Sequence, residues 1–515
     1  MIKSKRLLNI IIQIVLFLFL FVYFTQITPL VPFDADDWSF LGTMRLPFPL
    51  WGVFNPSKVL PEVIGPIVGS IASFCIYPIT RNYVYSIMFT QTIVVSLFIV
   101  ALLYIFSSFL KRKFELSFKE AICGELFLFL SFFFLFKHIN SPSYSGFWAT
   151  DFDCYFHYII PGLLNASIVL SMMTKEKFMK CWEKQTHLYK GMFIVAIYFA
   201  IFSSPQLSII LASYCLTMII NIIVKQHGVK EIIRTSKIYF VICFLWLISI
   251  LFDLHGRRAA GVSSVNGGSF KSRLMATLLS LNNLIKELDT KVLLLFILMI
   301  IAALAIVIVG KRKNHADRII ETFIHQVGIL IVCLVITIVY LICAYLKAGA
   351  GYAGRIDAMW AVIFFFLAIT SISFSYLLKN YKEIKIFTPL ILILMALISF
   401  NFDYLPIQPN VGQYSATTVK IVDNYIIDQI VRADREGKSE VAVKVPLGEG
   451  KVTPKDQTSN WPHAFYMAKW LQNTLYSHGI IRTRIRITIK PDDQVNKKLY
   501  ENKNNQQEFT PLETK

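Results

Sequence analysis

The chain has 515 residues, of which 55% are hydrophobic and only 16% charged, with a mean hydropathy of +0.57. A soluble domain of that balance would expose far more apolar surface than water tolerates, so composition excludes a soluble fold and points to a polytopic helical membrane protein. The net charge of +19 is no nucleic-acid footprint, because Lys and Arg stand in short clusters between apolar runs, as cytoplasmic loops facing anionic lipid do.

Those clusters are Lys3 to Arg6, Lys111 to Lys113, Lys175 to Lys190, Lys225 to Lys237, Lys311 to Lys313 and Lys379 to Lys385. With each held inside, a first span near 8–28 runs outward and is retained as an anchor, since it lacks a small-residue cleavage site. Residues 34–82 are rich in proline and read as an outer loop with one or two helices lying in the interface. Further spans follow near 83–110, 121–137, 158–173, 191–203, 206–224, 238–252, 291–310, 324–346, 356–377 and 386–402. Each apolar run is set against a hydrocarbon core roughly 30 Å thick. The expected fold is therefore an all-α polytopic membrane bundle of about 11 transmembrane helices over residues 1–402.

The composition changes after Asp403. Helical spacing over Val422 to Ile430, alternation over Glu440 to Val445, an amphipathic stretch over Pro462 to Tyr476 and alternation over Ile480 to Ile489 predict a small α/β extracytoplasmic domain over 403–495. Residues 496–515 are polar and predict a disordered tail. The eight cysteines are scattered without a C-x-x-C pair, so neither a disulfide framework nor a zinc site is expected.

The ionisable and polar residues outside the basic clusters fall on the outer side of this topology. Asp34, Asp36, Asp37 and Trp38 follow the first span. Asp151, Asp153 and His157 lie in a second outer loop over 138–157, and Gln206 in a third. Arg257 and Arg258 open the loop 253–290, and Arg355 and Asp357 close the loop 347–357. Carboxylates at a span mouth carry a desolvation cost that function repays. Such a set suits glycosyl transfer from a lipid phosphate: a carboxylate, Asp36 or Asp37, takes the acceptor proton. Arg355, with Arg257 or Arg258, holds the phosphate. Trp38 and Trp148 stack on sugars or anchor the interface. Two carboxylates two residues apart, Asp151 and Asp153, leave a divalent metal open and no other cofactor is expected.

With an outward first span, the acidic Asp36-Asp37-Trp38 loop, many further spans and an outer tail, the chain resembles the GT-C superfamily of polytopic glycosyltransferases. The nearest likeness is to bacterial enzymes that modify cell-wall polysaccharide, teichoic acid or O-antigen chains. The resemblance implies a polyprenyl-phosphate-linked sugar donor, a cell-surface glycan acceptor, a plasma-membrane location with the N-terminus cytoplasmic, and a catalytic Asp in the loop holding Asp34, Asp36 and Asp37. A lipid-linked oligosaccharide polymerase or ligase is the alternative within glycosyl transfer; a flippase or transporter, or a non-enzymatic assembly protein, lies outside it. A transporter would place ionisable residues near the bilayer midplane, often in two related halves, and no repeat is visible.

Overall fold

The computed structural model describes residues 2–137, 144–175, 182, 184–225, 229–259, 268–312, 318–400, 416–446, 464–492 and 494–495. The end of the last expected span, the segment around Asn460 to Pro462 and the expected tail 496–515 lie outside the described residues. The protein is a helical membrane bundle. Among the described residues nine helices are long and apolar enough to cross a bilayer. Their outer faces carry bare Leu, Ile, Val and Phe, as on Leu18, Val22, Phe244, Leu298 and Ile301, all more than half exposed.

In chain order the bundle comprises α1 (Ile2–Val22), α2 (Ala35–Gly42), α3 (Val59–Ile71), α4 (Tyr83–Lys113), α5 (Phe118–Phe134), α6 (Ile160–Thr174), α7 (His187–Ile201), α8 (Pro205–Lys225) and α9 (Val229–Leu254). It continues with α10 (Phe270–Glu287), α11 (Thr290–Arg312), α12 (Arg318–Ala348), α13 (Trp360–Asn380) and α14 (Lys382–Ser399). α13 is the central post: nearly all its side chains are buried, and α5, α11 and α12 pack around it. Three helices carry a π-helical turn, at Tyr23–Ile27, Ala72–Ile76 and Tyr155–Ile159, a feature common beside functional sites.

Basic residues mark one end of the bundle, where Lys379 and Lys385 of the last cluster and Arg318 meet the start of α5. Lys379 Nζ donates to the Glu115 carbonyl at 2.7 Å, Lys385 pairs with Glu120 at 2.6 Å and Arg318 lies 3.8 Å from Glu115. The acidic and aromatic loops gather at the other end, called here the site side. There the Leu60 N–H donates to the Phe202 carbonyl at the end of α7, and the Gln91 amide of α4 donates to the Phe152 carbonyl before α6.

α3 continues through Tyr77–Thr80 and is as long as a span, yet both its ends lie on the site side. Its start meets the end of α7, and its end leads into Tyr83, whose ring stacks on Trp38 at 6.4 Å. Its length would let it cross a bilayer, while its contacts bring both ends to one side of the bundle. One buried carboxylate departs from the one-sided pattern. Glu125, near the middle of α5, is fully buried and accepts from Gln13 Nε2, also mid-helix in α1, at 2.7 Å.

The C-terminal module consists of α15 (Ala416–Arg435), β1 (Glu440–Pro446), α16 (Ala464–Ser477) and β2 (Arg486–Asp492). The strands pair in parallel, Val443 opposite Ile489, which requires a crossover between them; α16 lies in that connection. Only the second half of the Ile480–Ile489 alternation is strand. Residues 480–485 instead turn back through a positive-φ Gly479, and Asp434 accepts the N–H groups of Arg482 and Thr483 there.

Candidate active site

The first acidic loop is built as a helix start. Asp34 caps α2, accepting the Asp36 N–H at 3.3 Å, and Asp37 returns the favour to the Asp34 N–H at 2.9 Å, a reciprocal capping box. Asp37 is completely buried. Its Oδ2 also accepts the Phe33 N–H at 2.6 Å and its Oδ1 the Asp153 N–H at 2.8 Å. Burial, together with the carboxylates of Asp153, Asp151 and Asp34, pushes its pKa well above the usual carboxylate range. Asp37 thus fastens the first outer loop to the second and faces no open space. Asp36, one residue earlier and exposed, lines a cavity of about 540 Å³. Of Asp34, Asp36 and Asp37, Asp36 is the exposed one.

Trp38 is also core. It is 1% exposed, and its carbonyl accepts the Thr474 hydroxyl of α16 at 2.5 Å. Neither sugar stacking nor interfacial anchoring, the two roles expected for it, is open to a ring so enclosed. The reason is the capping box, which turns Asp36 outward and the next two side chains inward.

Asp153 and His157, expected in the second loop, lie instead in the helical segment Phe152–Ile159 that runs into α6, one turn apart and buried, with Asp153 Oδ2 3.8 Å from His157 Nε2. Phe40 of α2 packs edge-on against the His157 ring at 4.6 Å. Asp151 is partly exposed. Burial and the carboxylates of Asp153 and Asp34 raise its pKa to about 8. The ligand atoms of Asp151, Asp153 and Cys154 fall within 4.8 Å of one another. The Arg355 guanidinium already sits on the Cys154 sulfur at 3.1 Å, so the donor set reduces to two hard carboxylates, with Asp151 Oδ1 buried and without a hydrogen-bond partner. That pair suits Mg²⁺ or Mn²⁺ rather than zinc.

Arg355 grips Asp357 with both arms, Nε to Oδ1 at 3.0 Å and Nη2 to Oδ2 at 2.7 Å. Asp357, fully buried, also accepts the Thr150 N–H and hydroxyl and the Ala358 N–H. The bidentate geometry expected on phosphate is therefore spent inside the protein, tying the loop 347–357 to the loop before α6. What Arg355 still offers is its charge, held between the rings of Tyr158 at 5.1 Å and Tyr352 at 5.3 Å.

Arg257 stands apart. It is exposed and donates through Nε to the Gly52 carbonyl at 3.1 Å, fixing the loop before α3. Arg258 points the other way, donates to the Tyr352 hydroxyl at 2.6 Å and lines a second cavity of about 300 Å³. Lys58, Gln206, Asp253 and Lys347 line the same cavity, and its floor is apolar, made of Ile250 and Leu254 of α9 with Tyr340 and Ala344 of α12. Gln206 is held there by the Ser204 hydroxyl at 2.6 Å. Lys58 was not singled out from the sequence. Buried beside Arg258, it has its pKa lowered by desolvation first and by that guanidinium second, to about 8. Its signal was a single lysine outside every basic cluster, in an otherwise apolar, proline-rich loop. Tyr158 and Tyr352, which link Lys58, Arg258 and Arg355, gave no signal beyond aromaticity.

Phe54 divides the two cavities: it lines the larger one, while the Arg258 guanidinium carbon lies 6.0 Å from its ring. No protein-family profile, characterised protein or solved structure matches the chain.

Proposed function

We propose that the protein is a polytopic glycosyltransferase of the GT-C plan that moves a sugar from a polyprenyl-phosphate donor to a surface glycan at the extracytoplasmic face. The observation that carries this reading is the pair of adjacent cavities of opposite chemistry. One presents Lys58, Arg258 and Lys347 with a single acid, Asp253, beside apolar residues of α9 and α12; the other presents Asp36 and Glu62 with a single cation, Arg45, paired to Glu62. A lipid phosphate needs cations at the surface and hydrocarbon below them, and the first cavity offers both. In this reading α3 lies in the interface, and α5, α7 and α14 cross with the longer helices, for the eleven spans expected.

In the reaction the acceptor hydroxyl gives its proton to the Asp36 carboxylate while its oxygen bonds to the anomeric carbon. The bond from that carbon to the phosphate oxygen breaks, and polyprenyl phosphate leaves with the electron pair. Lys58 and Arg258 oppose the charge that grows on the leaving group, in a setting poorer in water than the bulk. A divalent cation held by Asp151 and Asp153 would add further positive charge on the same side. The test is turnover of lipid-linked sugars in membranes holding wild type, Asp36→Asn or Lys58→Ala at equal expression. Release of polyprenyl phosphate by wild type alone supports the reading. Equal release by Asp36→Asn removes the base, and no turnover of any polyprenyl-phosphate sugar by wild type overturns the reading.

A further inference from the structure

We infer that the cavity bearing Asp36 is a binding site for an uncharged sugar ring, and that the C-terminal module completes it by supplying Trp470. The inference deepens the glycosyl-transfer reading and rests on it for the name acceptor, but the binding chemistry stands on the cavity itself. At about 540 Å³ the space falls within the roughly 300–1,000 Å³ of small-molecule sites. Phe40, Phe54 and Trp470 give it aromatic walls, the surface on which the C–H face of a pyranose packs.

Its polar groups sort the ligand by charge. The one cation lining the cavity among the described residues, Arg45, is committed: Nη1 to Glu62 at 2.8 Å and to the Asn55 carbonyl at 2.7 Å, Nη2 to the Phe48 carbonyl at 3.0 Å, and Nε to the Leu46 carbonyl at 3.3 Å. Asn55 gives its amide N–H to Glu62 at 2.7 Å, which leaves Asn55 Oδ1 buried and without a partner. A buried amide oxygen in that state is destabilising unless a ligand donates to it. The cavity thus presents the Asn55 Oδ1 acceptor and the negative charge of Asp36, and its one cation among the described residues is committed. Hydroxyl donors fit such a lining and phosphate does not. This is the reverse of the neighbouring cationic cavity, so the two cannot exchange ligands.

Trp470 reaches the site because α16 is clamped on α2. Thr474, one turn further along the same face of α16, donates to the Trp38 carbonyl, and a Cβ on Gly42 would come within 2.7 Å of the Thr474 Cα. That close approach sets Trp470 at the cavity wall.

The experiment is saturation-transfer NMR on the full chain in lipid nanodiscs, with free glucose, N-acetylglucosamine and N-acetylgalactosamine as probes and inorganic phosphate as competitor. Ring C–H protons of at least one sugar should saturate in wild type and Trp470→Phe, fall at least about tenfold in Trp470→Ala, and be unaffected by phosphate. Trp470→Leu, which keeps apolar bulk without a ring, replaces the Ala variant if thermal unfolding shows that variant misfolded. No saturation from any of the three sugars, undiminished saturation in the ring-less variant, or displacement by phosphate overturns the inference. Sugar binding as described without any donor turnover would defeat the transferase reading and leave this site standing. Donor turnover with unchanged acceptor dependence in Trp470→Ala would do the opposite.

Discussion

At the scale of single residues, neighbouring aspartates carry different loads. Asp36→Asn removes a carboxylate charge from the lining of an open cavity. It should lower transfer by about 10² to 10⁴, the usual range for a general base, with an unchanged melting temperature. Asp37→Asn turns an amide N–H toward backbone N–H donors that the carboxylate now accepts. It should cost about 1–3 kcal/mol for each orphaned donor, seen as a lower melting temperature with a loss of folded protein. Equal melting temperatures in the two variants would deny that division. Lys58 predicts a pH effect. A donor phosphate favours its charged form, whose pKa is about 8 without ligand, so the donor KM should climb as pH rises past that value. In Lys58→Arg the climb should vanish, because guanidinium stays charged. The sequence made the acidic loop visible but not which carboxylate faces outward, since that depends on the turn of α2 and on the Asp153 N–H, 116 residues away.

At the scale of elements, the decisive contact is α16 on α2. Gly42 has no room for a side chain there: a Cβ would fall 2.1 Å from Thr474 Oγ1 and 2.7 Å from its Cα. Gly42→Val should therefore separate the helices, at a cost in the ~1–3 kcal/mol range of an overpacked core, and expose α16 to limited proteolysis while the spans stay folded. His478, beside this contact, adds a pH dependence. It accepts the Tyr83 hydroxyl and is buried, which lowers its pKa to about 4. Between about pH 6.5, the unfolded value, and 4, a detached module takes up a proton that the docked one refuses. Docking therefore weakens as pH falls through that window. Proteolysis of α16 should rise between pH 7 and 4.5 in wild type and change less in His478→Gln. The helix itself was legible from its amphipathic spacing over Pro462 to Tyr476. Its seat on α2 was not, because a glycine and a threonine more than 400 positions apart leave no periodic trace.

At the scale of the whole molecule, hydropathy and charge clusters reported the bundle well because each span carries its own signal: about 20 apolar residues, closed by Lys or Arg. What they could not report was that Glu125 sits buried near the middle of α5, bonded to Gln13 of α1, because hydropathy averaged over a span hides one buried carboxylate. Contact reaches without any span count what the count of eleven also gives: the acidic loop and the C-terminal module are on the same side, and Lys379 and Lys385 are on the other. With the eight native cysteines replaced by serine, single cysteines at Met44, Lys438 and Lys382 test this against a membrane-impermeant maleimide. Met44→Cys and Lys438→Cys should react in intact cells and Lys382→Cys only after permeabilisation, because the basic end belongs inside. Reaction of Met44→Cys and Lys438→Cys from different sides would break the docking of α16 on α2. A wholly inverted pattern would keep the fold but put Asp36 and the cationic cavity on the cytoplasmic face. A transferase working on surface glycans could not then be correct, and a lipid-linked sugar assembled inside the cell would become the substrate to test.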